Sequence, residues 1–129
     1  MSYQKFETVY LSPLGKTWIF DLDGTLVKHN GYKMDGKDSL LPGVAQFFKQ
    51  ISDNDFVLII TARAAEWKDN TVAFLIENGI RFNHIIFDAP HGERILINDR
   101  KNSGLSTAYA INTKRDEFLT TAFIIDDKL

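Results

Sequence analysis

Short apolar runs that each end on a polar residue recur along this chain, and they constrain the fold more than any other feature. The runs contain three to five apolar residues without alternation. This pattern is typical of strands that are covered on both faces, as in a parallel sheet. The runs are Trp18–Phe20 before Asp21, Phe56–Ile60 before Thr61, Ile85–Phe87 before Asp88, Ile95–Ile97 before Asn98 and Asp99, and Ala108–Ile111 before Asn112.

Helical patterns lie between some of these runs. Residues 42–52 place apolar side chains at i, i+3, i+4 and i+7 from Val44, with Pro42 near the first turn. Residues 64–78 follow the same spacing and stop at Gly79, a residue suited to the end of a helix. Alternating strands and helices predict an α/β, three-layer, Rossmann-like domain with a mainly parallel five-stranded sheet.

Ligands of such sheets bind beyond the carboxyl ends of the strands. Asp21, Thr61 and Asp99 fall at that edge in this interpretation. The length of 129 residues predicts a single domain over 1–129, with a core at about 16–112 and a C-terminal tail at 113–129. We expect residues 24–37 to form a small β-hairpin flap around Asn30 and Gly31, a common two-residue turn.

Composition excludes several classes of function. The chain has no cysteine, which excludes disulfides, thiolate metal sites and a cysteine nucleophile. The formal net charge of −2 gives no basic footprint for nucleic acid. No apolar run approaches the ~18 residues of a membrane span, and residues 1–7 lack a signal-peptide core. We therefore expect a cytoplasmic protein that binds neither nucleic acid nor membrane.

The sequence Asp21-Leu22-Asp23-Gly24-Thr25 carries the densest chemical signal. Two carboxylates two residues apart repel each other unless a cation lies between them. A hard divalent ion with oxygen ligands, above all Mg²⁺, is the simplest neutraliser. Gly24 allows a sharp turn after the pair, and Thr25 supplies a hydroxyl. The alternative is a plain turn, because Asp and Gly are common after strands.

The block from Trp18 to Val27 resembles motif I of the haloacid dehalogenase-like (HAD) superfamily, which consists mostly of Mg²⁺-dependent phosphohydrolases. The resemblance covers roughly residues 16–112. It implies that Asp21 attacks phosphorus to form an aspartyl phosphate, and that Asp23 acts as general acid and then as general base. Such a covalent intermediate divides one difficult displacement into two easier ones.

Thr61 resembles motif II of the superfamily, a Ser or Thr that follows a strand and hydrogen-bonds the transferred phosphoryl group. Gly24, Thr25, Ala62 and Arg63 are the candidate residues for binding the phosphate. For Thr61 the alternative is an N-cap of the following helix. For Arg63 the alternative is a solvated side chain in the first helical turn, which we favour over a contact to substrate.

Residues 94–101 resemble motif IV, an apolar strand that ends in an acid of the metal site. Asn98 stands where the family usually has a first acid, so the metal would bind Asp21, the backbone carbonyl of Asp23, and Asp99. Asp126 and Asp127 mimic this motif at the C-terminus. We reject them because they follow the fifth candidate strand, where fraying is expected.

Motif III is the incomplete part of the resemblance. The superfamily places a Lys, or less often an Arg, before motif IV, and Ala89 stands in that place here. Lys101, Arg94 and His91 are the alternatives, and we favour Lys101 because it follows Asp99. The missing Lys also supports a non-catalytic protein that binds phosphate or a partner.

The spacing of the motifs leaves no room for a cap domain, so the resemblance implies a small, capless member. An open site favours a homo-oligomer or a large substrate, since water is not excluded by enclosure. We expect a phosphatase that acts on a phosphorylated small molecule or a sugar-type substrate. A receiver-type signalling domain is another alternative, but its phosphorylated Asp would follow the third strand.

Overall fold

The computed structural model describes residues 7–129, which divide into two compact units with one parallel sheet each. The three-stranded unit contains Gly15–His91 and Thr113–Phe118. The two-stranded unit contains residues 7–14, Gly92–Asn112 and Leu119–Leu129. In chain order the elements are β1 (Thr8–Leu11), β2 (Thr17–Phe20), α1 (Gly31–Met34), α2 (Val44–Gln50), β3 (Phe56–Ile60), a 3-10 turn (Ala65–Trp67), α3 (Lys68–Glu77), β4 (His84–Ile86) and β5 (Ala122–Ile125).

The three-stranded sheet has the order β2-β3-β4, and both of its pairings are parallel. The pairing confirms that the first three apolar runs are parallel strands. Asp55 fixes the start of the sheet, because its carboxylate accepts hydrogen bonds from the Lys16 backbone N–H and the Trp18 indole N–H, each at 2.9 Å. The carboxyl ends of β2 and β3 therefore lie at one edge.

The core of this unit lies between the sheet and the helices. Phe20 of β2 packs against Phe48 of α2, with ring centroids 4.8 Å apart. Leu75 of α3 is fully buried in the same cluster. The buried members are Phe20, Leu22, Leu26, Val27, Leu41, Val44, Phe48, Val57, Ile59, Leu75 and Ile80.

Helices α2 and α3 confirm the two patterns of apolar spacing. In α2, Val44 and Phe48 are buried, as the spacing from Val44 predicts. The second pattern begins with the 3-10 turn and continues as α3, which ends before Gly79. Gly79 has a φ of 71°, the left-handed conformation that glycine adopts at a helix end without strain.

The expected hairpin around Asn30 and Gly31 is wrong. Gly31 begins α1 instead, and the Met34 N–H donates to the Asn30 carbonyl at 2.9 Å. A type I′ turn needs positive φ at both central residues, but only Asn30 has one, at 55°. Within residues 7–129, antiparallel pairing is limited to one bridge between Val27 and Leu40.

The two-stranded unit pairs β1 with β5 in parallel, from Thr8 beside Ala122 to Leu11 beside Ile125. The expected single five-stranded sheet is not confirmed, since the described residues form two separate sheets. Residues 95–97 and 108–111 are not strands. Ile95 and Ile97 are 83% and 90% exposed, so this apolar run lacks the neighbouring strands that would cover it.

The helices of the three-stranded unit are short. None of the helices within residues 7–129 has the length and apolar character needed to cross a membrane.

Candidate active site

The paired carboxylates follow β2 at the edge of the three-stranded sheet. Leu22 between them is fully buried, whereas Asp21 and Asp23 are both partly exposed. Successive side chains therefore alternate in direction beyond the end of β2, so that Leu22 lies in the core and the two carboxylates point away from it. The predicted placement of this pair at the carboxyl end of a strand is confirmed.

A tight turn holds the pair in place. The Leu22 carbonyl accepts the N–H groups of Thr25, Leu26 and Val27 at 3.2, 2.9 and 3.2 Å. The Gly24 N–H donates to the Val27 carbonyl at 2.7 Å. The backbone N–H groups of Gly24 and Thr25 are thus used within the turn, and the Thr25 hydroxyl donates to Asp21 Oδ2 at 3.3 Å.

Gly24 is required for this turn and for a close approach to the segment 113–118. Its φ is +80°, and a Cβ there would lie 3.3 Å from Arg115 Cγ. The Asp116 N–H donates to the Gly24 carbonyl at 2.8 Å, and its carboxylate accepts the His29 N–H at 2.6 Å. Residues 113–118, expected to be part of a tail, therefore pack on the carboxylate turn.

Thr61 follows β3 and is 1% exposed. Its N–H donates to the Ile86 carbonyl, and its carbonyl accepts the Ala89 N–H at 3.0 Å. Its hydroxyl oxygen accepts the Arg63 N–H at 3.0 Å. The next helical turn has Ala64 as its N-cap without a side-chain bond, so the N-cap alternative for Thr61 is wrong. The hydroxyl proton of Thr61 is not used by the bond to Arg63.

Arg63 is buried, so the expectation of a solvated side chain is wrong. Its guanidinium donates to both oxygens of Asp23, from Nη2 to Oδ1 at 2.7 Å and from Nε to Oδ2 at 3.3 Å. It donates to both oxygens of Asp38 at 2.8 and 2.9 Å. Nη1 also donates to the Thr71 hydroxyl at 2.8 Å. These five bonds use all five N–H donors of an arginine.

Aromatic side chains cover the same guanidinium. The Tyr32 ring lies 3.8 Å from Arg63 Cζ, and Trp67 packs edge-on against Tyr32 at 4.8 Å. Burial alone would lower the pKa of Arg63, but hydrogen bonds and charges from Asp38 and Asp23 outweigh it and hold that pKa above its ordinary value. These contacts therefore stabilise the charged form of Arg63.

Asp38 is a functional candidate that sequence reasoning missed. Its side chain is 7% exposed, and it shares Arg63 Nη2 with Asp23, since that nitrogen donates to one oxygen of each carboxylate. No motif or periodic pattern marks Asp38, because it lies in a loop 25 positions before its partner. An acid near a buried cation is recognised only once the chain is folded.

The loop after β4 meets the loop after β3. The Asp88 N–H donates to the Arg63 carbonyl at 2.9 Å, and the Asp88 carboxylate accepts the Ala65 N–H at 3.2 Å. Asp88 has a φ of 60°, which a non-glycine residue adopts only when its surroundings fix it. These bonds hold the segment around Ala89, the position that motif III would fill, against Thr61 and Arg63.

Asp99 and Lys101 lie in the two-stranded unit and are exposed. The Asp99 carbonyl accepts the Thr107 hydroxyl, and Asn98 Nδ2 donates to the same hydroxyl at 2.9 Å. The three-stranded unit thus brings together Asp21, Asp23, Thr61 and Arg63, while Asp99 and Lys101 belong to the other unit.

Oxygen donors near Asp21 match the chemistry of a magnesium ion. The Asp21 carboxylate and the backbone carbonyl of Asp23 are hard ligands of the kind that Mg²⁺ binds. The Asp23 carboxylate is engaged by Arg63. Across residues 7–129, no group of three or more His, Asp or Glu side chains is arranged to hold a metal ion.

A comparison with protein-family models identifies a family that this chain matches. The model of the NLI interacting factor-like phosphatase family (NIF), a family of the HAD-like superfamily, matches residues 16–99, which is more than half of the chain. The matched stretch includes Asp21, Asp23, Thr61 and Asp99. No curated protein and no solved structure matches the chain.

Proposed function

Because the chain belongs to the NLI interacting factor-like phosphatase family and is a HAD-type phosphatase, we propose that it hydrolyses phosphomonoesters through an aspartyl phosphate on Asp21, with Mg²⁺. The observation that carries this proposal is the placement of Asp21 and Asp23 at the end of β2 beside a buried Thr61 at the end of β3. The family match also favours a phosphatase over a receiver domain.

In the first step an oxygen of Asp21 attacks the phosphorus of the substrate. The new O–P bond forms as the bond from phosphorus to the ester oxygen breaks, and Asp23 gives a proton to the departing alcohol. Thr25 donates to Asp21 Oδ2 at 3.3 Å and orients that carboxylate. The Thr61 hydroxyl is the donor for an oxygen of the transferred phosphoryl group.

In the second step water attacks the phosphorus of the aspartyl phosphate and gives a proton to Asp23. The bond from Asp21 to phosphorus breaks, and inorganic phosphate leaves. Asp23 thereby regains the proton that it lost in the first step, so the cycle is complete. Mg²⁺, when bound, supplies positive charge that offsets the repulsion between a phosphate dianion and a carboxylate.

In this proposal the three-stranded unit supplies two metal ligands, Asp21 and the backbone carbonyl of Asp23. Gly24, Thr25 and Ala62 of the same unit line the proposed phosphate position. Asp99 and Lys101 belong to the other unit and remain predictions from the sequence. For Arg63 a direct contact to phosphate is not supported, since its N–H donors are all used within the protein.

The proposed substrate class is a phosphorylated small molecule or sugar-type compound, and we propose that the site is capless. Within the three-stranded unit, the loop between Val27 and Leu40 contains only the four-residue α1. Only the 3-10 turn and α3 lie between β3 and β4. Neither segment has the length of a cap, which supports the proposal that a second copy of the chain or the size of the substrate controls access.

The proposal is tested with purified protein, Mg²⁺ and a panel of phosphate esters. We expect Asp21→Asn to reduce phosphate release by about a thousandfold or more, since it removes the nucleophile. Asp53→Asn, at an exposed loop position, is the matched control and should leave the rate unchanged. Acid quenching should trap phosphate on the wild-type protein in a hydroxylamine-sensitive form. Equal inactivity of wild type and Asp21→Asn on every ester would refute the proposal and favour a non-catalytic phosphate-binding protein.

A further inference from the structure

Arg63 holds the proposed acid and base, Asp23, by both of its carboxylate oxygens. The two bonds, at 2.7 and 3.3 Å, use different nitrogens of the guanidinium, Nη2 and Nε. Two parallel hydrogen bonds between a planar guanidinium and a planar carboxylate fix the orientation of the carboxylate as well as its position. A single hydrogen bond fixes only its position. Asp23 therefore has little freedom to rotate about its side-chain torsions.

The rest of the cluster fixes Arg63 itself. Asp38 takes two of its N–H groups and Thr71 takes one, and the Tyr32 ring covers the guanidinium face. The Arg63 side chain is only 1% exposed, so water cannot satisfy these donors in their place. Leaving a buried donor without a partner is costly, and Asp38 and Thr71 avoid that cost.

We propose that Arg63 is a positioning residue that holds the Asp23 carboxylate in the orientation needed for proton transfer, and that Asp38 completes its hold on Asp23. The proposal rests on the phosphatase function proposed above. It assigns to Arg63 a role that acts through Asp23 rather than on the phosphate.

The bonds to Arg63 leave part of the Asp23 carboxylate without a partner in Arg63. An ionised carboxylate offers about four lone-pair sites, and Arg63 occupies two of them. The Asp23 side chain is 17% exposed, so part of it reaches the solvent side where a substrate would bind. Displacement of a catalytic group by about 1 Å can cost a hundredfold in rate.

The leaving group of the substrate distinguishes a positioning role from a structural one. An alkyl phosphate needs a proton from the acid as its alcohol departs, whereas 2,4-dinitrophenyl phosphate releases a stable anion without one. The ratio kcat/KM reports the steps up to loss of the leaving group, so slow hydrolysis of the aspartyl phosphate does not mask the difference.

The test compares kcat/KM for both esters in wild type and Arg63→Lys. Lysine keeps the charge but cannot form the two-pronged bond. We expect kcat/KM for the alkyl ester to fall about a hundredfold while that for the dinitrophenyl ester stays within about threefold. Asp35→Asn removes an exposed acid of the α1 region and is the control, with both ratios unchanged.

Thermal unfolding is measured for each variant, and Asp38→Asn is the second test variant. Asp38→Asn should lower kcat/KM for the alkyl ester more than that for the dinitrophenyl ester, as Arg63→Lys does. The factor should be smaller, because the bonds from Arg63 to Asp23 remain. If Arg63→Lys does not fold, the test depends on Asp38→Asn alone, through the difference between its effects on kcat/KM for the two esters. An equal fall for both esters, or no change in either, would overturn the positioning role. A wild-type protein as inert as Asp21→Asn would instead overturn the phosphatase proposal and this one with it.

Discussion

Replacement of Arg63 by methionine removes a buried cation that faces two carboxylates, while the apolar stem of the side chain is retained. The matched change is Lys28→Met, which removes a surface cation paired with Asp35. The bridges have similar lengths, 2.7 and 2.8 Å for Arg63 to Asp23 and Asp38 and 2.9 Å for Lys28 to Asp35. They differ in burial, because the Arg63 side chain is 1% exposed and that of Lys28 is 43% exposed.

Burial sets the magnitude of each effect. Removing one partner of a buried pair costs about 3–5 kcal/mol, because the remaining charge loses its compensation. Arg63→Met leaves Asp38, whose side chain is 7% exposed, without its cation, so we expect a cost within that range. Lys28→Met breaks an exposed pair that water and salt screen, so we expect a much smaller cost for it. At ~3–5 °C per kcal/mol for a chain of this size, Arg63→Met lowers Tm by more than about 10 °C.

Urea unfolding measures the free energy of both variants, at low and high salt. The effect of Lys28→Met should shrink as salt is added, whereas that of Arg63→Met should persist because buried pairs are screened less. Adding Asp38→Asn to Arg63→Met should restore about 0.5–3 kcal/mol, since it removes one uncompensated charge. Similar costs for the two methionine variants, or no recovery in the double variant, would refute the argument from burial.

Two further predictions concern α3 and the α1 region. Leu75→Ala and Ile76→Ala each remove three carbons from adjacent positions of α3, but Leu75 is fully buried and Ile76 is 66% exposed. In urea unfolding, the free energy of unfolding should fall by about 2–5 kcal/mol for Leu75→Ala and by less than ~1 kcal/mol for Ile76→Ala. Equal losses for the two variants would contradict the described core. The hydrogen bond and charge of Asp35 raise the pKa of Lys28, so the stability that this pair contributes is fully present below the ordinary lysine pKa of about 10.4 and is lost as pH rises through the raised value. The difference in stability between wild type and Asp35→Asn, measured at about pH 9 and about pH 11.5, should therefore be smaller at the higher pH, and a difference that grew with pH would contradict this sign.

The sheet edge and its polar residues were predictable because they depend on local patterns. Three unalternated apolar runs specify β2, β3 and β4, and the residues that follow the first two, Asp21 and Thr61, necessarily share the edge of a parallel sheet. Helix spacing from Val44, and Gly79 as a stop, specify α2 and the end of α3 in the same way.

The rest depended on contacts that are distant in sequence. The pairing of Arg63 with Asp23 and Asp38 spans 40 and 25 positions, and no local pattern marks such partners. Asn30 and Gly31 favour a hairpin locally, but bonds from Lys33 and Met34 back to the Asn30 carbonyl begin α1 instead. Residues 95–97 have the composition of a strand, yet a strand forms only where a neighbour supplies the other half of its hydrogen bonds.

Leu22 couples the position of the two carboxylates to the core, because its backbone carbonyl accepts three N–H groups of the turn. Its own side chain is fully buried, so the turn cannot open without exposing Leu22 to water. The amides of Thr25, Leu26 and Val27 should then exchange with solvent hydrogen only as the three-stranded unit unfolds cooperatively. The separation of Asp21 and Asp23 is thus a property of the folding unit, and it persists for as long as the unit stays folded.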